Sequence, residues 1–341
     1  MSMLASSVTL ADRIVKRFGY RIFPASFLQP NFVDRLDIGE PAVTQAATQV
    51  ECDVYLRSDN PRLLELRRLF ASLDEDLISP LVWKERAAEL HLSRFRGPSM
   101  WVYQEGHPNL DERAYLLATY YVLANDRLRL MERFTEDGAF GAYRLEIGGR
   151  SISRDLLDSI LEIDFLDRTL GVGELPMFSI LDIGAGYGRL AYRMLTAFTS
   201  LQNYFCADAV PESSFVCEYY LRFRGLQDRA RIVNPLEIDS LLSEHKVDVA
   251  VNIHSFSECR LSAVQWWLRR LAGHGVRYLL VVPNGGDHGG MLLRNNIGQD
   301  MLPLFAENGY RLKTRQAKYG DAVVQKYALD PTYFWLFERS Q

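Results

Sequence analysis

Cysteine is scarce in this 341-residue sequence, and no two cysteines form a CxxC pair. Without such pairs the sequence contains neither a zinc ribbon nor a dithiol motif, so we expect free, mostly buried thiols in a reducing compartment. The six histidines include no HxxxH spacing, and the sequence therefore gives no ground for predicting a metal. The four cysteines are Cys52, Cys206, Cys217 and Cys259.

Dense basic stretches and long apolar runs are also missing. The formal net charge is -4, and no basic stripe of the kind that binds phosphates is present, so we expect no nucleic-acid partner. No apolar run approaches the ~20 residues that span a bilayer. Asp12, Arg13, Lys16 and Arg17 interrupt the apolar residues near the N-terminus, which argues against a secretory signal. These absences predict a cytoplasmic protein without a membrane span.

The composition and length predict a globular protein of two domains, with 48% hydrophobic and 24% charged residues. Residues 1–150 are expected to form a mainly helical domain that caps the site. Pro61 can open one helix, residues 81–95 fit a second, and residues 111–134 fit a third. Residues 145–149 are interpreted as a short turn region. Ser153 is a good N-cap for the helix that follows it.

From residue 178 onward, short apolar strands alternate with amphipathic helices, which is the pattern of a parallel α/β sheet. Residues 151–341 are therefore predicted to form a doubly wound, mostly parallel, seven-stranded sheet with one antiparallel strand at its end. The predicted strands are 178–183, 204–207, 230–233, 247–252, 277–282, 311–317 and 333–338. The predicted helices between them are 189–198, 212–223, 236–244, 262–272 and 299–307.

A glycine-rich stretch, LDIGAGYG at residues 181–188, lies between the first strand and the next helix. Ligands of open α/β sheets bind at the carboxyl ends of strands, and glycine lets the backbone approach them closely. A dinucleotide fingerprint would need a small residue where this chain has Arg189. The pattern DxGxGxG places Asp182 near the ligand, which suits the ammonium group of S-adenosylmethionine (SAM). A dinucleotide site and a purely structural turn remain the alternatives.

The second predicted strand ends in Asp208, and an acid at this place can bind ribose hydroxyls. The alternative is a helix-capping aspartate before Pro211. Together with Asp182, Asp208 would hold opposite ends of one SAM molecule. The predicted cofactor-binding residues are Asp182, Gly184, Ala185, Gly186, Tyr187, Gly188, Asp208, Ala209 and Asn252.

At these residues the sequence resembles the class I SAM-dependent methyltransferases. Residues 181–190 are similar to their motif I, and Asp208 matches the acid that ends their second strand. The strings DAVPESS (208–214), EYYLRFR (218–224), NIHSFSE (252–258) and SRDLLD (153–158) resemble the bacterial sugar O-methyltransferases. This resemblance covers about residues 148–339. It implies a Rossmann-like fold, SAM as cofactor, and a sugar hydroxyl of a glycoside, nucleotide sugar or polysaccharide as acceptor.

Methyl transfer to a hydroxyl requires a base for the hydroxyl proton. His254 follows the fourth predicted strand, and we interpret it as the catalytic base because imidazole titrates near neutral pH. Glu258, four residues further on, is expected to orient the imidazole if a helix begins at Ser257. The alternative is a loop-stabilising histidine followed by a first-turn acid.

Four further residues are candidates for binding the acceptor substrate. Asn284, Asp287 and His288 lie in a glycine-rich segment after the fifth strand, and Arg154 begins the helix before the core. Asp287 or His288 could also join Asp208 or Glu258 around a divalent ion. The alternatives are a flexible connection and a surface arginine.

The sequence therefore predicts a SAM-dependent sugar O-methyltransferase acting on a small-molecule or glycan acceptor. Exposed aromatic surface suggests a homodimer. The alternatives are methyl transfer to a hydroxyl or amine of another small molecule, and a SAM-binding protein without catalysis. A dinucleotide-dependent oxidoreductase is the third alternative.

Overall fold

The computed structural model describes residues 33–38, 50–74, 77, 83, 91–97, 101 and 112–340. The strands are β1 (Val33–Ile38), β2 (Tyr143–Ile147), β3 (Arg150–Ile152), β4 (Phe178–Ile183), β5 (Leu201–Ala207), β6 (Ala230–Val233), β7 (Val249–Ile253), β8 (Tyr278–Val282), β9 (Tyr310–Ala317) and β10 (Tyr333–Arg339). The helices are α1 (Pro61–Phe70), α2 (Glu112–Asn125), α3 (Leu130–Arg133), α4 (Arg154–Leu170), α5 (Arg189–Ala197), α6 (Pro211–Phe223), α7 (Ile238–Glu244), α8 (Leu261–Gly273), α9 (Leu302–Glu307) and α10 (Ala322–Tyr327). No helix in these ranges has the length and apolarity to cross a membrane.

The strands from β4 to β10 form one seven-stranded sheet in the order β6-β5-β4-β7-β8-β10-β9. The pairs from β6 to β8 are parallel, whereas β10 runs antiparallel to both β8 and β9. This confirms the predicted fold class. The chain order reverses between β4 and β7, so the carboxyl ends of these strands border the crevice where such sheets bind ligands.

Alternate residues of the central strands enter two separate apolar clusters, one on each face of the sheet. Leu181 and Phe205 belong to one cluster, and Ile180 and Cys206 belong to the other. All six residues of β4 are buried, because helices cover both faces. This explains why the sequence shows continuous apolar runs here rather than an alternation.

The N-terminal half contains a small antiparallel sheet, β1-β2-β3, that the sequence did not predict. The interpretation of residues 145–149 as a turn region is wrong, because residues 145–147 pair with β3. The turn consists of Gly148 and Gly149, whose φ angles are 60° and 71°, as a tight hairpin requires. The hairpin spans residue 150, and the division into two domains there stays a prediction.

The helix predicted for residues 111–134 is divided in two. Asp126 accepts hydrogen bonds from the backbone nitrogens of Leu130 (2.9 Å) and Met131 (2.6 Å), and it thereby caps α3 as a separate helix. The predicted start of α4 is confirmed, since Ser153 Oγ accepts from Leu156 N at 3.1 Å. The helix predicted for residues 81–95 lies mostly outside the described residues, and within it residues 92–94 form a 3-10 turn.

All four cysteines are free thiols, as the sequence predicted. Cys52, Cys206 and Cys217 are buried. Burial raises the pKa of Cys52, and it raises the pKa of Cys259 to about 12. These two thiols are therefore protonated and weakly nucleophilic near neutral pH.

A buried ion cluster attaches the segment around residue 96 to α4 and α5. The guanidinium of Arg96, 1% exposed, lies 2.7 Å from Glu136 and 3.2 Å from Asp155. Arg193 lies 3.4 Å from the same Glu136 carboxylate, and Ser153 Oγ donates to it at 2.5 Å. Burial alone would raise the pKa of Glu136, but the two guanidinium groups outweigh burial and hold this pKa well below its usual value.

We predict that Glu136→Ala lowers the free energy of unfolding by about 3–5 kcal/mol, because it removes the carboxylate that two buried guanidinium groups share. Urea unfolding measures this loss. Glu132→Ala is the matched control. It removes an exposed ion pair with Arg129 and should change the free energy by less than about 1 kcal/mol. Equal losses in the two variants would contradict the prediction.

Candidate functional site

The glycine-rich loop between β4 and α5 adopts a left-handed backbone conformation. The φ angles of Gly184, Gly186 and Gly188 are 74°, 57° and 86°. A Cβ atom on Gly184 would lie 2.0 Å from Ser255 Oγ, and one on Gly186 would lie 3.3 Å from the ring of Trp101. At Gly184 both the backbone conformation and the packing therefore require glycine.

Two carboxylates, the first buried and the second half-buried, face one cavity of about 160 Å³ beside this loop. Asp182, at the end of β4, accepts a hydrogen bond from Tyr204 Oη at 2.8 Å. Asp208, directly after β5, accepts from the backbone nitrogens of Gly186 (3.0 Å) and Val210 (2.8 Å). Burial raises the pKa of Asp182 and of Asp208 to about 7. A cation bound in this cavity would favour the ionised form of both groups.

Arg189 stands where a dinucleotide fingerprint requires a small residue. Its guanidinium donates twice to Glu162 of α4, at 2.8 and 2.9 Å, and once to Ser159 at 2.8 Å. Arg189 therefore attaches α5 to α4. A small residue here would instead let α5 approach the preceding strand closely, as in dinucleotide-binding folds. The arrangement disfavours the dinucleotide alternative.

Most of the predicted cofactor-binding residues line the cavity, but Asn252 and Gly188 do not. Asn252 is fully buried, and its side-chain amide donates to Ile183 O (2.8 Å) and to Ser255 Oγ (2.7 Å). Its carbonyl oxygen accepts from Phe256 N at 2.9 Å. The side chain thus braces β7 against β4. The predicted residues that do line the cavity are Asp182, Gly184, Ala185, Gly186, Tyr187, Asp208 and Ala209.

His254 enters the same cavity directly after β7, with a left-handed φ of 67°. Its side chain is 25% exposed, and Nε2 lies 3.7 Å from Asp330 Oδ2. Its Nδ1 atom has no hydrogen-bond partner within the described part of the chain. Burial, helped by the nearby charge of Arg154, lowers the pKa of His254 to about 4. The imidazole is therefore neutral near neutral pH and free to accept a proton. It is nonetheless a weaker base than the sequence predicted, because burial moves its titration away from neutral pH.

The contact with Glu258 that the sequence predicted for His254 is not formed. Glu258 Oε2 accepts a hydrogen bond from Trp83 Nε1 at 2.7 Å. Residues 255–258 form a 3-10 turn, in which the side chain four positions on does not face the first one. The carboxylate within ion-pair distance of the imidazole is Asp330, which lies between α10 and β10.

Arg154 lines the cavity, as predicted for an acceptor-binding residue, but its charge is balanced by acids. It lies 3.2 Å from Asp158 and 2.6 Å from Asp330. Lys318, which is buried, lies 2.7 Å from Asp158. A further anion at Arg154 would compete with these carboxylates.

The three polar residues predicted after the fifth strand lie outside the cavity. The backbone nitrogen of Asn284 donates to Ser257 Oγ at 3.0 Å, and Asp287 is exposed. His288 is half-buried, and it belongs with Asp287 to the 3-10 turn Gly286–His288. In the described ranges no group of three or more His, Cys, Asp or Glu side chains is placed to hold a metal ion.

The cavity residues that were not identified as site residues from the sequence include Trp83, Trp101, Asp155 and Asp158. Asp155 and Asp158 are three positions apart in α4, on one face of the helix, and this spacing was a usable signal. The two tryptophans belong to the N-terminal half, where no recognisable motif marks them.

No protein-family model matches the chain, and no curated protein matches its sequence. Solved structures of low identity are similar to it. One is the O-methyltransferase NcsB1 from neocarzinostatin biosynthesis, in complex with SAM and 2-hydroxy-5-methyl naphthoic acid. It has 20% identity and a TM-score of 0.39, and the match covers 55% of this chain and 56% of that one.

Two further similar structures differ in their activities. The magnesium protoporphyrin IX methyltransferase of Synechocystis PCC 6803, with bound SAM, has 12% identity and a TM-score of 0.38, over 55% of this chain and 83% of that one. The cyclase SpnF has 17% identity and a TM-score of 0.40, over 57% of this chain and 85% of that one. At TM-scores of 0.38 to 0.40, these similarities do not indicate the function of this chain.

We predict that Gly184→Ala lowers the free energy of unfolding by about 2–5 kcal/mol, because it adds a steric clash with Ser255 to the left-handed strain. Thermal and urea unfolding measure this. Gly149→Ala is the matched control, since Gly149 also has a positive φ but no atom lies within 4 Å of its added Cβ. That variant should lose only about 1–2 kcal/mol. The loss caused by Gly184→Ala should be smaller when it is measured in a Ser255→Gly background, and an equal loss in the two backgrounds would contradict the steric explanation.

Proposed function

We propose that this chain is a SAM-dependent methyltransferase. One observation carries the proposal: Asp182 and Asp208, at the ends of neighbouring strands, flank a glycine loop and face the same cavity. Two carboxylates in one cavity suit a ligand that carries positive charge and hydroxyl groups, and they would repel a pyrophosphate. SAM has an ammonium group, a sulfonium group and a ribose, and it supplies an activated methyl group when bound.

The residues of the loop fit this ligand in chemistry. Gly184 and Gly186 allow the backbone to approach it closely, and Asp208 offers acceptors for the ribose hydroxyls. Asp182 is near the loop and can attract the ammonium group. Tyr187 is buried, and its hydroxyl donates to Asp155, so its side chain attaches the loop to α4.

The acceptor in this proposal is a hydroxyl group of a sugar. The strings around residues 153, 208, 218 and 252 that resemble sugar O-methyltransferases support it. His254 takes the hydroxyl proton while the oxygen forms its bond to the methyl carbon and the carbon–sulfur bond breaks, leaving S-adenosylhomocysteine (SAH). The neutral imidazole described above is in the state this step requires. Asp330, rather than Glu258, is placed to stabilise the resulting imidazolium.

The proposed function also involves a division of roles between the two halves of the chain. Residues 1–150 would cap the site and shape the acceptor pocket, and residues 151–341 would bind SAM. The free thiols support a cytoplasmic location. A homodimer and an acceptor-binding role of Asn284, Asp287 and His288 stay predictions from the sequence.

We predict that radiolabelled SAM transfers its methyl group to a member of a panel of glycosides, nucleotide sugars and bacterial glycans. His254→Ala should reduce kcat by about 100-fold or more, because a positioned base contributes at least that factor. The matched control is His274→Ala, which removes a surface histidine beside Asp239. Near-normal turnover of His254→Ala would exclude the base. SAM binding without transfer to any glycan would favour another acceptor or a binding protein without catalysis.

We predict that SAM binds more tightly as the pH rises from 6 to 8. In the free protein Asp182 and Asp208, with pKa values of about 7, are largely protonated below that pH, so binding a cation must release protons. The affinity should change by up to about tenfold per pH unit for each group. Conversely, these raised pKa values should make the free protein less stable as the pH rises from about 4 to 7.

Titration calorimetry in buffers of different ionisation enthalpy measures the protons released. Asp208→Asn should reduce their number, whereas the exposed acid Asp228, changed to Asn, should leave it unaltered. Binding that is independent of pH, with no proton release, would contradict the role of both carboxylates.

A further inference from the structure

Two tryptophans from the N-terminal half, Trp83 and Trp101, line the same cavity as the glycine loop. Their ring centroids are 5.5 Å apart, with an interplanar angle of 51°. The roles proposed above for the glycine loop do not involve these two side chains. Each indole N–H is nonetheless used, and each donates to a side chain beside the cavity.

The indole of Trp101 is linked to the carboxylate that would bind ribose. Trp101 Nε1 donates to Ser213 Oγ at 2.9 Å, and Ser213 is almost fully buried in the first turn of α6. The Ser213 hydroxyl lies near enough to the Asp208 carboxylate to lower its pKa. The ring of Trp101 also lies against Gly186, close enough that an added Cβ would be 3.3 Å from it. Trp101 therefore lies over the part of the loop beside Asp208.

The indole of Trp83 is linked to the loop that follows β7. Trp83 Nε1 donates to Glu258 Oε2 at 2.7 Å. Glu258 lies close enough to Asp208 to influence its ionisation. The two indoles thus bond to residues on opposite sides of the cavity, one after β5 and one after β7.

We propose that Trp83 and Trp101 form the outer wall of the cofactor site and pack against the adenosine end of SAM. This proposal rests on the proposed function. An aromatic face packs well on a nucleoside, and base–aromatic contacts contribute substantially to binding. The hydrogen bonds through Ser213 and Glu258 hold the two rings in place before the ligand arrives. The wall would thus cover the ligand beside Asp208.

The alternative physical role is attraction between an indole face and the sulfonium charge. The two roles differ in a measurable way. SAH has the same adenosine but no sulfonium charge. Packing against adenosine weakens SAM and SAH binding equally when an indole is changed, whereas attraction to the charge weakens SAM binding selectively.

The test is titration calorimetry of SAM and SAH with Trp83→Phe, Trp101→Phe and Trp101→Leu. Each Phe variant removes an indole hydrogen bond and should weaken both ligands by about 2- to 10-fold. Trp101→Leu also removes the aromatic face and should weaken both by about 5-fold or more. SAH should change the tryptophan fluorescence of the wild type, and the change should be smaller in each variant.

Trp335→Phe is the matched control. It also removes a buried indole hydrogen bond, to Gly290 O at 3.0 Å, but Trp335 does not line the cavity. Thermal unfolding of each variant confirms that it is folded at the assay temperature. Wild-type affinity and fluorescence change in the Trp83 and Trp101 variants would overturn the proposal, as would an equal loss in Trp335→Phe. A selective loss of SAM binding would overturn the adenosine contact. Failure of the wild type to bind either ligand would instead overturn the proposed function itself.

Discussion

The side-chain amide of Asn252 joins two strand ends in the centre of the sheet, with hydrogen bonds to Ile183 O at 2.8 Å and to Ser255 Oγ at 2.7 Å. Ser255 in turn fills the space beside Gly184 where a side chain would otherwise stand. The loops after β4 and β7 are therefore locked together in the protein interior. An unsatisfied buried amide would cost about 1–3 kcal/mol, so neither loop can move away alone. The cavity is consequently formed before any ligand binds.

The charge of the cavity follows from which of its ions are already paired. Arg154 and Lys318 lie within ion-pair distance of Asp158 and Asp330, so these four charges balance. Arg189 is likewise matched by its bidentate contact with Glu162. Among the described residues no cation lies within ion-pair distance of the Asp182 or Asp208 carboxylate, and burial raises the pKa of each to about 7. The net field of the cavity thus favours a cation over an anion such as a phosphate group.

The sequence predicted the sheet well because each central strand is a separate apolar run followed by an amphipathic helix. It indicated the loop because the positive φ angles there require glycine, and it indicated both acids because each stands at the end of an apolar run; their binding of SAM stays a prediction. The hairpin β2–β3 was missed because its strands are too short for an alternation to be recognised. The partner of Glu258 was missed because a 3-10 turn replaces the expected helix, and because Trp83 is 175 positions away in the chain.

The position of the His254 imidazole depends on the last, antiparallel part of the sheet. Lys318, directly after β9, donates to the backbone carbonyls of Leu329 (3.3 Å) and Asp330 (3.1 Å). These bonds fix Asp330 in a left-handed conformation, with φ of 42°, and His254 opposite it is also left-handed, with φ of 67°. Such residues cost of order 1–3 kcal/mol each and persist only where the surroundings impose them.

Two strained residues whose side chains lie 3.7 Å apart are therefore held by the fold and not by local preference. The buried ammonium of Lys318 holds the backbone of Asp330, and the Asp330 carboxylate then approaches both Arg154 and the imidazole. Because β10 pairs with both β8 and β9, the turn that carries Asp330 is tied to the strand whose Val282 carbonyl accepts from His254 N at 2.7 Å. The closing antiparallel pair of the sheet thus sets the geometry of the candidate base, although it contributes no residue to the glycine loop.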